Sequence, residues 1–252
     1  MDNRPSKEAP IVSVVIPLYG SRKHFTTLLH LLQQLFPLLG QGSELILVND
    51  GDNDLFHVSA YKKFQIIDAR LNILQLKKNC GQMTATLCGM SVAKCPVVLT
   101  MDADTCCDAH LLANLAVKAQ PSGNLAYLDV LPAILKQPML RRVLSWINKV
   151  VFRILVKRKD LHRSGSSVRA VELSLVKELV QEESCAELID VRFLNSASKV
   201  SFIPYSKPVN YSTSYSFLSF LRFIFRFAKG LFKKKARFQA ARYIYEIQNL
   251  TS

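Results

Sequence analysis

The 252-residue sequence lacks the features that mark secreted, zinc-binding and disulfide-stabilised proteins. Its six cysteines show no Cys-x-x-Cys spacing and no neighbouring paired histidines, which argues against a zinc site and against a disulfide framework. Residues 1–10 are polar and contain no apolar core followed by a small-residue cleavage site. Internal repeats and low-complexity linkers are also absent. We therefore expect a cytoplasmic protein with reduced cysteines.

Acidic residues are scarce as well. The chain has 19 Asp and Glu against 33 Lys and Arg, a formal net charge of +14 and a pI near 9.6. Such an excess implies an anionic partner: nucleic acid, an acidic membrane surface or phosphorylated substrates. The sequence contains no helix-turn-helix, zinc-finger or RNP-like motif, so we expect no nucleic acid partner. It also lacks the run of about 20 uncharged residues that a membrane-spanning helix needs.

The first half of the chain alternates short apolar segments with longer amphipathic ones. The short segments predict buried strands, at Ile11–Pro17, Glu44–Val48, Asn72–Leu76 and Val97–Met101. The longer ones predict helices, at Lys23–Leu39, near Val58–Ala69 and at Gln82–Ala93. This alternation is typical of one α/β domain with a mostly parallel sheet and helices on both faces. Ligands of such sheets bind at the carboxyl ends of the strands.

Polar residues follow each of the four predicted strands. Asp102-Ala103-Asp104 after the fourth places two carboxylates on one turn, an arrangement that suits Mg²⁺ or Mn²⁺ bridging protein oxygens to substrate phosphates. Taken alone, such a pair more often caps a helix or forms a turn. The other strand ends are Pro17–Gly20, Asn49–Asp52 and Lys77–Gly81. Four strand ends thus converge on one predicted crevice.

Four segments in this order and spacing resemble the family 2 glycosyltransferases of GT-A type. They are Val12–Tyr19, Leu47–Asp52, Asn79–Ala93 and Val97–Asp104. Polyprenyl-phosphate sugar transferases, such as the catalytic subunit of dolichyl-phosphate mannose synthase, are the most similar members. The resemblance is strongest over residues 11–120 and implies the α/β GT-A fold. We divide the chain into a polar tail (1–10), a transferase domain (11–212) and a basic membrane-associating segment (213–252).

The resemblance implies a metal-dependent inverting transfer of a sugar from a UDP-, GDP- or dTDP-linked donor to a polyprenyl phosphate or lipid-linked glycan, in the synthesis of cell-envelope polysaccharides or glycans. Mg²⁺ or Mn²⁺ neutralises the diphosphate leaving group while an acceptor oxygen attacks the sugar. The matching positions are Pro17 and Tyr19 for the nucleobase pocket, Asp50 for the base or ribose, Lys78, Asn79 and Gly81 for the nucleotide loop, and Asp102 and Asp104 for the metal, with Asp104 preferred as direct ligand. The structural alternatives are a Pro17 that ends a strand, a Tyr19 packed in the core and a solvated Lys77-Lys78 pair.

The second half departs from these relatives. Arg163 stands where they carry an aspartate, just before the stretch Ser164–Ala170, and the later Val209–Ser216 segment lacks their arginine and glycine. Candidate bases are His162, Glu187 and Asp190, and candidate contacts to an acceptor phosphate are Arg169, Lys207, Ser214 and Tyr215. The structural alternative for His162 is a surface or packing residue. The structural alternative for the two acids is a position on an exposed helix face. These departures keep open a catalytically degenerate nucleotide-sugar-binding or scaffold subunit, and beyond it a basic lipid- or RNA-binding protein.

A basic amphipathic helix is predicted at Phe217–Arg237. One face carries Arg222, Arg226, Lys229 and Lys233, and the opposite face carries Phe220, Phe223, Ile224, Phe227 and Leu231. Such a helix is typical of proteins that lie in the headgroup region of an anionic membrane. The alternatives are a solvated basic face or a helix that covers a membrane-embedded partner subunit. We expect a peripheral protein on the cytoplasmic face of a membrane.

Overall fold

The computed structural model describes residues 9–20, 24–52, 62–67, 69–105, 107–120, 123–131, 155–157, 166–181, 189–206, 239 and 243–250. Several predicted features lie outside these residues: His162, Arg163, Glu187, Lys207, Ser214, Tyr215 and the helix at Phe217–Arg237. Their roles therefore stay predictions. Within the described part of the chain, no helix is both long and apolar enough to cross a membrane.

The described residues form an eight-stranded sheet in the order β7-β5-β6-β4-β1-β2-β3-β8. The strands are β1 Val12–Leu18, β2 Glu44–Asn49, β3 Arg70–Leu76, β4 Val97–Thr100, β5 Asn124–Leu131, β6 Arg169–Glu172, β7 Lys199–Ser206 and β8 Ile244–Leu250. Six strands run parallel to one another, whereas β6 and β8 run antiparallel to their neighbours. The predicted mostly parallel α/β sheet is confirmed.

Helices cover both faces of this sheet, which explains why every residue of β1, β2 and β4 is buried. The helices are α1 Phe25–Leu35, α2 Gln82–Val92, α3 Ala109–Ala119, α4 Leu173–Gln181 and α5 Ile189–Ser196. Val14 and Ile16 of β1 belong to the core cluster beneath α1 and α3, and Val15 belongs to the cluster beneath α2, α4 and α5. The alternation of side chains along a strand produces this division.

The packing of α2 on the sheet is close at Gly89. A Cβ atom at Gly89 would lie 2.4 Å from Val15 Cγ1 and 2.9 Å from Val48 Cγ2. The absence of a side chain therefore lets the helix axis approach β1 and β2. This contact fixes α2, whose first turn lies beside the predicted nucleotide loop.

The predicted elements of the first half agree with the structure to within one or two residues at most strand ends. The first helix is shorter than predicted because Phe36–Leu38 forms a 3₁₀ turn that contains Pro37. The described part of the second predicted helical region, near Val58–Ala69, contains only the 3₁₀ turn Lys62–Ile66. At the other end of the chain, β8 lies within the segment that we had separated as membrane-associating, yet it pairs with β3 and belongs to the sheet.

The strand directions bring many strand ends to one edge of the sheet, which we call the crevice edge. Here β1, β2, β3, β4, β5 and β7 end, and β6 and β8 begin. The Met101–Thr105 segment follows β4 at this edge. The four polar strand ends predicted from the sequence therefore share one edge of the sheet.

Candidate active site

Asp50, directly after β2, ties two loops of the crevice edge together. The residue is buried, and its backbone N–H donates to the Leu18 carbonyl over 2.9 Å. Its Oδ1 accepts a hydrogen bond from the Cys80 amide (2.7 Å) and its Oδ2 accepts one from the Gly81 amide (2.9 Å). Hydrogen bonds from backbone amides stabilise an ionised carboxylate. Asp50 thus shapes the loop before α2, and its contact with a base or ribose stays a prediction.

Gly51 lets the same two loops touch. Its φ is 71°, and a Cβ atom there would lie 2.3 Å from both the Asn79 nitrogen and the Lys78 carbonyl carbon. No side chain fits at that distance, and a φ in this range favours glycine. The turn after β2 and the loop before α2 therefore pack backbone against backbone.

Asn49 and Asp52 hold this turn in shape. The Asn49 side-chain amide donates to the Asp52 carbonyl, and the Asp52 N–H donates to Asn49 Oδ1, both over 2.9 Å. Asp52 Oδ2 in turn accepts a hydrogen bond from the Gly20 N–H (2.7 Å) after β1. These hydrogen bonds maintain the geometry of the crevice edge.

The other predicted nucleotide residues lie along the same side of the crevice edge. Pro17 is buried in β1 opposite Val48. Tyr19 is 59% exposed, so the alternative that it packs in the core is wrong. Lys78 and Asn79 are exposed, and Asn79 Oδ1 accepts a 3.1 Å hydrogen bond from the Gly81 amide. An exposed aromatic ring and exposed polar groups at strand ends can accommodate a nucleotide.

Asp102 is held by hydrogen bonds on both carboxylate oxygens. Its Oδ1 accepts one from the side-chain amide of Gln82, the first residue of α2, and its Oδ2 accepts one from the Ser167 hydroxyl over 2.7 Å. The Thr100 hydroxyl donates to the Ser167 carbonyl (2.9 Å) and fixes the segment that enters β6. The sequence reasoning did not single out Gln82 or Ser167, because both lie far from Asp102 in the chain.

Asp104 lies two residues further on, half-buried in the turn after Asp102. Burial raises the pKa of Asp102, the Ser167 hydrogen bond opposes this shift, and the negative charge of Asp104 adds to it. Like charges held close together in a half-buried turn are stabilised by a cation. No cluster of three or more metal-ligating side chains occurs among the described residues. The pair fits a Mg²⁺-type ion, which is bound through one or two carboxylates together with substrate phosphates.

Arg169, in contrast, is not placed to contact an acceptor. Its side chain is 1% exposed, and its Nη1 forms an ion pair with Asp190 Oδ1, which also accepts a 2.9 Å hydrogen bond from the Tyr127 hydroxyl. The guanidinium carbon lies 5.7 Å from the centre of the Phe193 ring. Burial lowers the pKa of Arg169, but the charge of Asp190 and the contacts with Asp190 and Tyr127 together raise it by more, so the pKa rises. This geometry argues against the predicted contact between Arg169 and an acceptor phosphate.

Asp190, a predicted base, is the charged partner of that buried arginine. It lies near the start of α5 and its side chain is 20% exposed, so it does not lie on a fully exposed helix face. Burial and the Asp190 charge raise the pKa of Tyr127 well above its ordinary value, which keeps the phenol protonated as a donor. The arrangement fastens α5 to β5 and β6, and a role for Asp190 as a base stays a prediction.

Comparison with known proteins identifies the class. Residues 13–167 match the model of glycosyl transferase family 2. This match covers more than half of the chain, which therefore belongs to glycosyl transferase family 2. The Asp50 turn and the Asp102–Asp104 pair both lie within the matched residues.

Among curated proteins, undecaprenyl-phosphate 4-deoxy-4-formamido-L-arabinose transferase of Salmonella paratyphi B is 31% identical over 113 residues. This alignment covers 44% of this chain and only 35% of that enzyme, so the chain spans about a third of the relative's length.

Solved structures show the same GT-A fold. Glucosyl-3-phosphoglycerate synthase from Mycobacterium tuberculosis in complex with UDP has a TM-score of 0.58 at 13% identity, covering 88% of this chain and 80% of that chain. S. aureus TarS 1–349 in complex with UDP-GlcNAc has a TM-score of 0.54 at 18% identity, covering 92% and 69%. The predicted fold is thus confirmed.

Proposed function

We propose that this domain transfers a sugar from a nucleotide-sugar donor to a polyprenyl phosphate or lipid-linked glycan, with a divalent metal at Asp102 and Asp104. The observation that carries this proposal is the position of the Asp102–Asp104 turn at the crevice edge, connected through Gln82 to the loop that Asp50 holds. A nucleoside diphosphate needs such neighbouring sites, one for the nucleoside and one for the charge on its phosphates.

A uridine nucleotide is the first donor to test. The structures with this fold named above were solved with UDP and UDP-GlcNAc. Mg²⁺ or Mn²⁺ would neutralise the charge that develops on the leaving diphosphate, with Asp104 as the preferred direct ligand and Asp102 beside it. Tyr19 and Asn79 would then border the nucleoside at the exposed mouth of the crevice.

A lipid phosphate is the favoured acceptor. The Salmonella relative is named for transfer to undecaprenyl phosphate, and the net charge of +14 suits an anionic membrane surface. A phosphate monoester needs little help from a base, because it is already ionised at neutral pH. This agrees with the engagement of Asp190 by Arg169. The segment Phe217–Arg237 would hold the enzyme on the cytoplasmic face of the membrane.

The second candidate keeps the fold without the reaction. Arg163 in place of an acidic residue and the buried position of Arg169 both favour a nucleotide-sugar-binding subunit that has lost transfer. Such a subunit would bind donor and metal but would not release nucleoside diphosphate.

One experiment separates these candidates. Purified protein is incubated with UDP-, GDP- and dTDP-sugars, Mn²⁺ and vesicles containing undecaprenyl phosphate, and release of nucleoside diphosphate is followed. Metal-dependent release that Asp104→Ala abolishes and Asp108→Ala retains supports the transferase. Asp108 is a matched control because it is exposed and caps α3 through the His110 N–H. Donor binding without release supports the inactive subunit, and no donor binding refutes both.

A further inference from the structure

The carboxylates described at the crevice edge differ in their ion-pair and hydrogen-bond partners. Asp190 is paired with the positive charge of Arg169. Asp102 receives its hydrogen bonds from an amide and a hydroxyl, Gln82 and Ser167, both of which are neutral. Neutral donors fix the orientation of a carboxylate without adding a positive charge of their own. Asp102 is therefore oriented by two contacts that do not pair its carboxylate with a cationic side chain.

The two donors reach Asp102 from elements that are far apart in the chain. Gln82 begins α2, whose placement is fixed by the Asp50 hydrogen bond to the preceding residue, Gly81. Ser167 precedes β6, and the Thr100 hydroxyl holds its carbonyl. The contacts form a continuous path along the crevice edge, from the end of β2 through α2 and the Asp102 turn to the start of β6.

We propose that Gln82 and Ser167 are positioning residues that hold the Asp102 carboxylate in the orientation needed to bind the metal–nucleotide complex. This inference rests on the proposed function, because it assumes a metal at the Asp102–Asp104 turn. Without the two donors the carboxylate rotates about its Cβ–Cγ bond, and each metal-binding event must restrict that rotation. A hydrogen bond to a charged group is strong enough that losing one weakens binding about tenfold.

The test measures the Mn²⁺ concentration that half-saturates UDP binding to the purified 252-residue chain. Gln82→Ala and Ser167→Ala should each raise this midpoint about tenfold, while UDP binding in EDTA stays within about twofold of wild type. Ser167→Thr should restore the wild-type midpoint because it keeps the hydroxyl. The matched controls Gln33→Ala and Ser91→Ala, on an exposed face of α1 and near the end of α2, should leave it unchanged.

Three results would overturn the inference. Unchanged midpoints would mean that the orientation of Asp102 does not depend on these donors. Lower midpoints would mean that the amide and the hydroxyl compete with the metal for the carboxylate. A loss of UDP binding in EDTA by either variant would indicate a general disturbance of the loop. Such a disturbance also contradicts a specific role toward the metal.

A second measurement separates this inference from the proposed function. If the wild-type chain binds none of UDP, GDP and dTDP with Mn²⁺, the proposed function fails. The positioning role is then judged by hydrogen–deuterium exchange of the peptide that spans Met101–Thr105. Faster exchange in Gln82→Ala and Ser167→Ala than in the two control variants supports the clamp on Asp102, and equal exchange in all four refutes it.

Discussion

Changing Asp190 to asparagine is expected to destabilise the protein by about 3 kcal/mol, because it leaves the Arg169 guanidinium buried without a counter-charge. Arg169 is 1% exposed and its Nε has no hydrogen-bond partner within the described structure, so it has little alternative solvation. Breaking a buried ion pair costs about 3–5 kcal/mol. We take the lower end because the Asp190 side chain is 20% exposed and asparagine still accepts the Tyr127 hydrogen bond.

The assay is urea unfolding followed by far-ultraviolet circular dichroism. Asp190→Asn should lower the unfolding midpoint with an unchanged slope. The double variant Arg169→Met/Asp190→Asn removes both charges and should recover most of the loss, since a buried pair can be replaced by apolar residues at little cost. Glu178→Gln on the exposed surface of α4 is the matched control and should shift stability by less than about 0.5 kcal/mol.

Three outcomes would refute this reasoning. A wild-type unfolding midpoint for Asp190→Asn would show that Arg169 is solvated in some other way. A kcat for sugar transfer about 100-fold lower at unchanged stability would instead identify Asp190 as the base. Equal instability of the single and double variants would show that the unpaired charge of Arg169 is not the source of the loss.

Three further predictions concern other sites. Gly51→Ala should weaken UDP binding more than tenfold, measured by isothermal titration calorimetry, because its Cβ atom would lie 2.3 Å from backbone atoms. The control Gly42→Ala has a similar φ of 87° and open space around its Cβ position, so it should leave UDP binding unchanged. Glu44→Leu should cost about 3 kcal/mol in urea unfolding, since it leaves the buried donors of Ser13 and Asn72 unpaired, and a cost below 1 kcal/mol would contradict this. Burial raises the pKa of Cys88 from 9.0 to about 12, so its thiol ionises more readily in the unfolded chain and stability should fall as the pH rises from 9 towards 12. Cys88→Ala should show a smaller fall in thermal melts over that range, and an identical pH dependence would count against the buried thiol as its source.

The strands that carry the site were predictable because their signals are local. An apolar run followed by Asp, Asn or Gly marks both the strand and its carboxyl end, as at β2 and β4. Parallel strands place such ends at one edge of a sheet, so the neighbourhood of Asp50 and Asp102 followed from the strand order.

What escaped prediction depends on contacts between distant residues. Ser167 bonds to a carboxylate 65 positions away and Cys80 to one 30 positions away. The sequence shows that Arg169 is charged but not that it is buried, because its partner Asp190 lies on α5, 21 positions later. β8 was missed for the same reason, since its apolar residues acquire a partner only when the chain returns to β3.

The return of the chain to β3 determines where the segment between β7 and β8 joins the sheet. β7 ends with Ser206 and β8 begins with Ile244, both at the crevice edge and on the outermost strands of the described sheet. The Lys77 N–H donates to the Tyr243 carbonyl, which fixes the point of return beside β3. Seven strand spacings of about 4.8 Å separate the two attachment points by roughly 34 Å. Both ends of the segment 207–242, which contains the predicted basic helix, therefore join the sheet at the edge that carries the Asp50 and Asp102 turns.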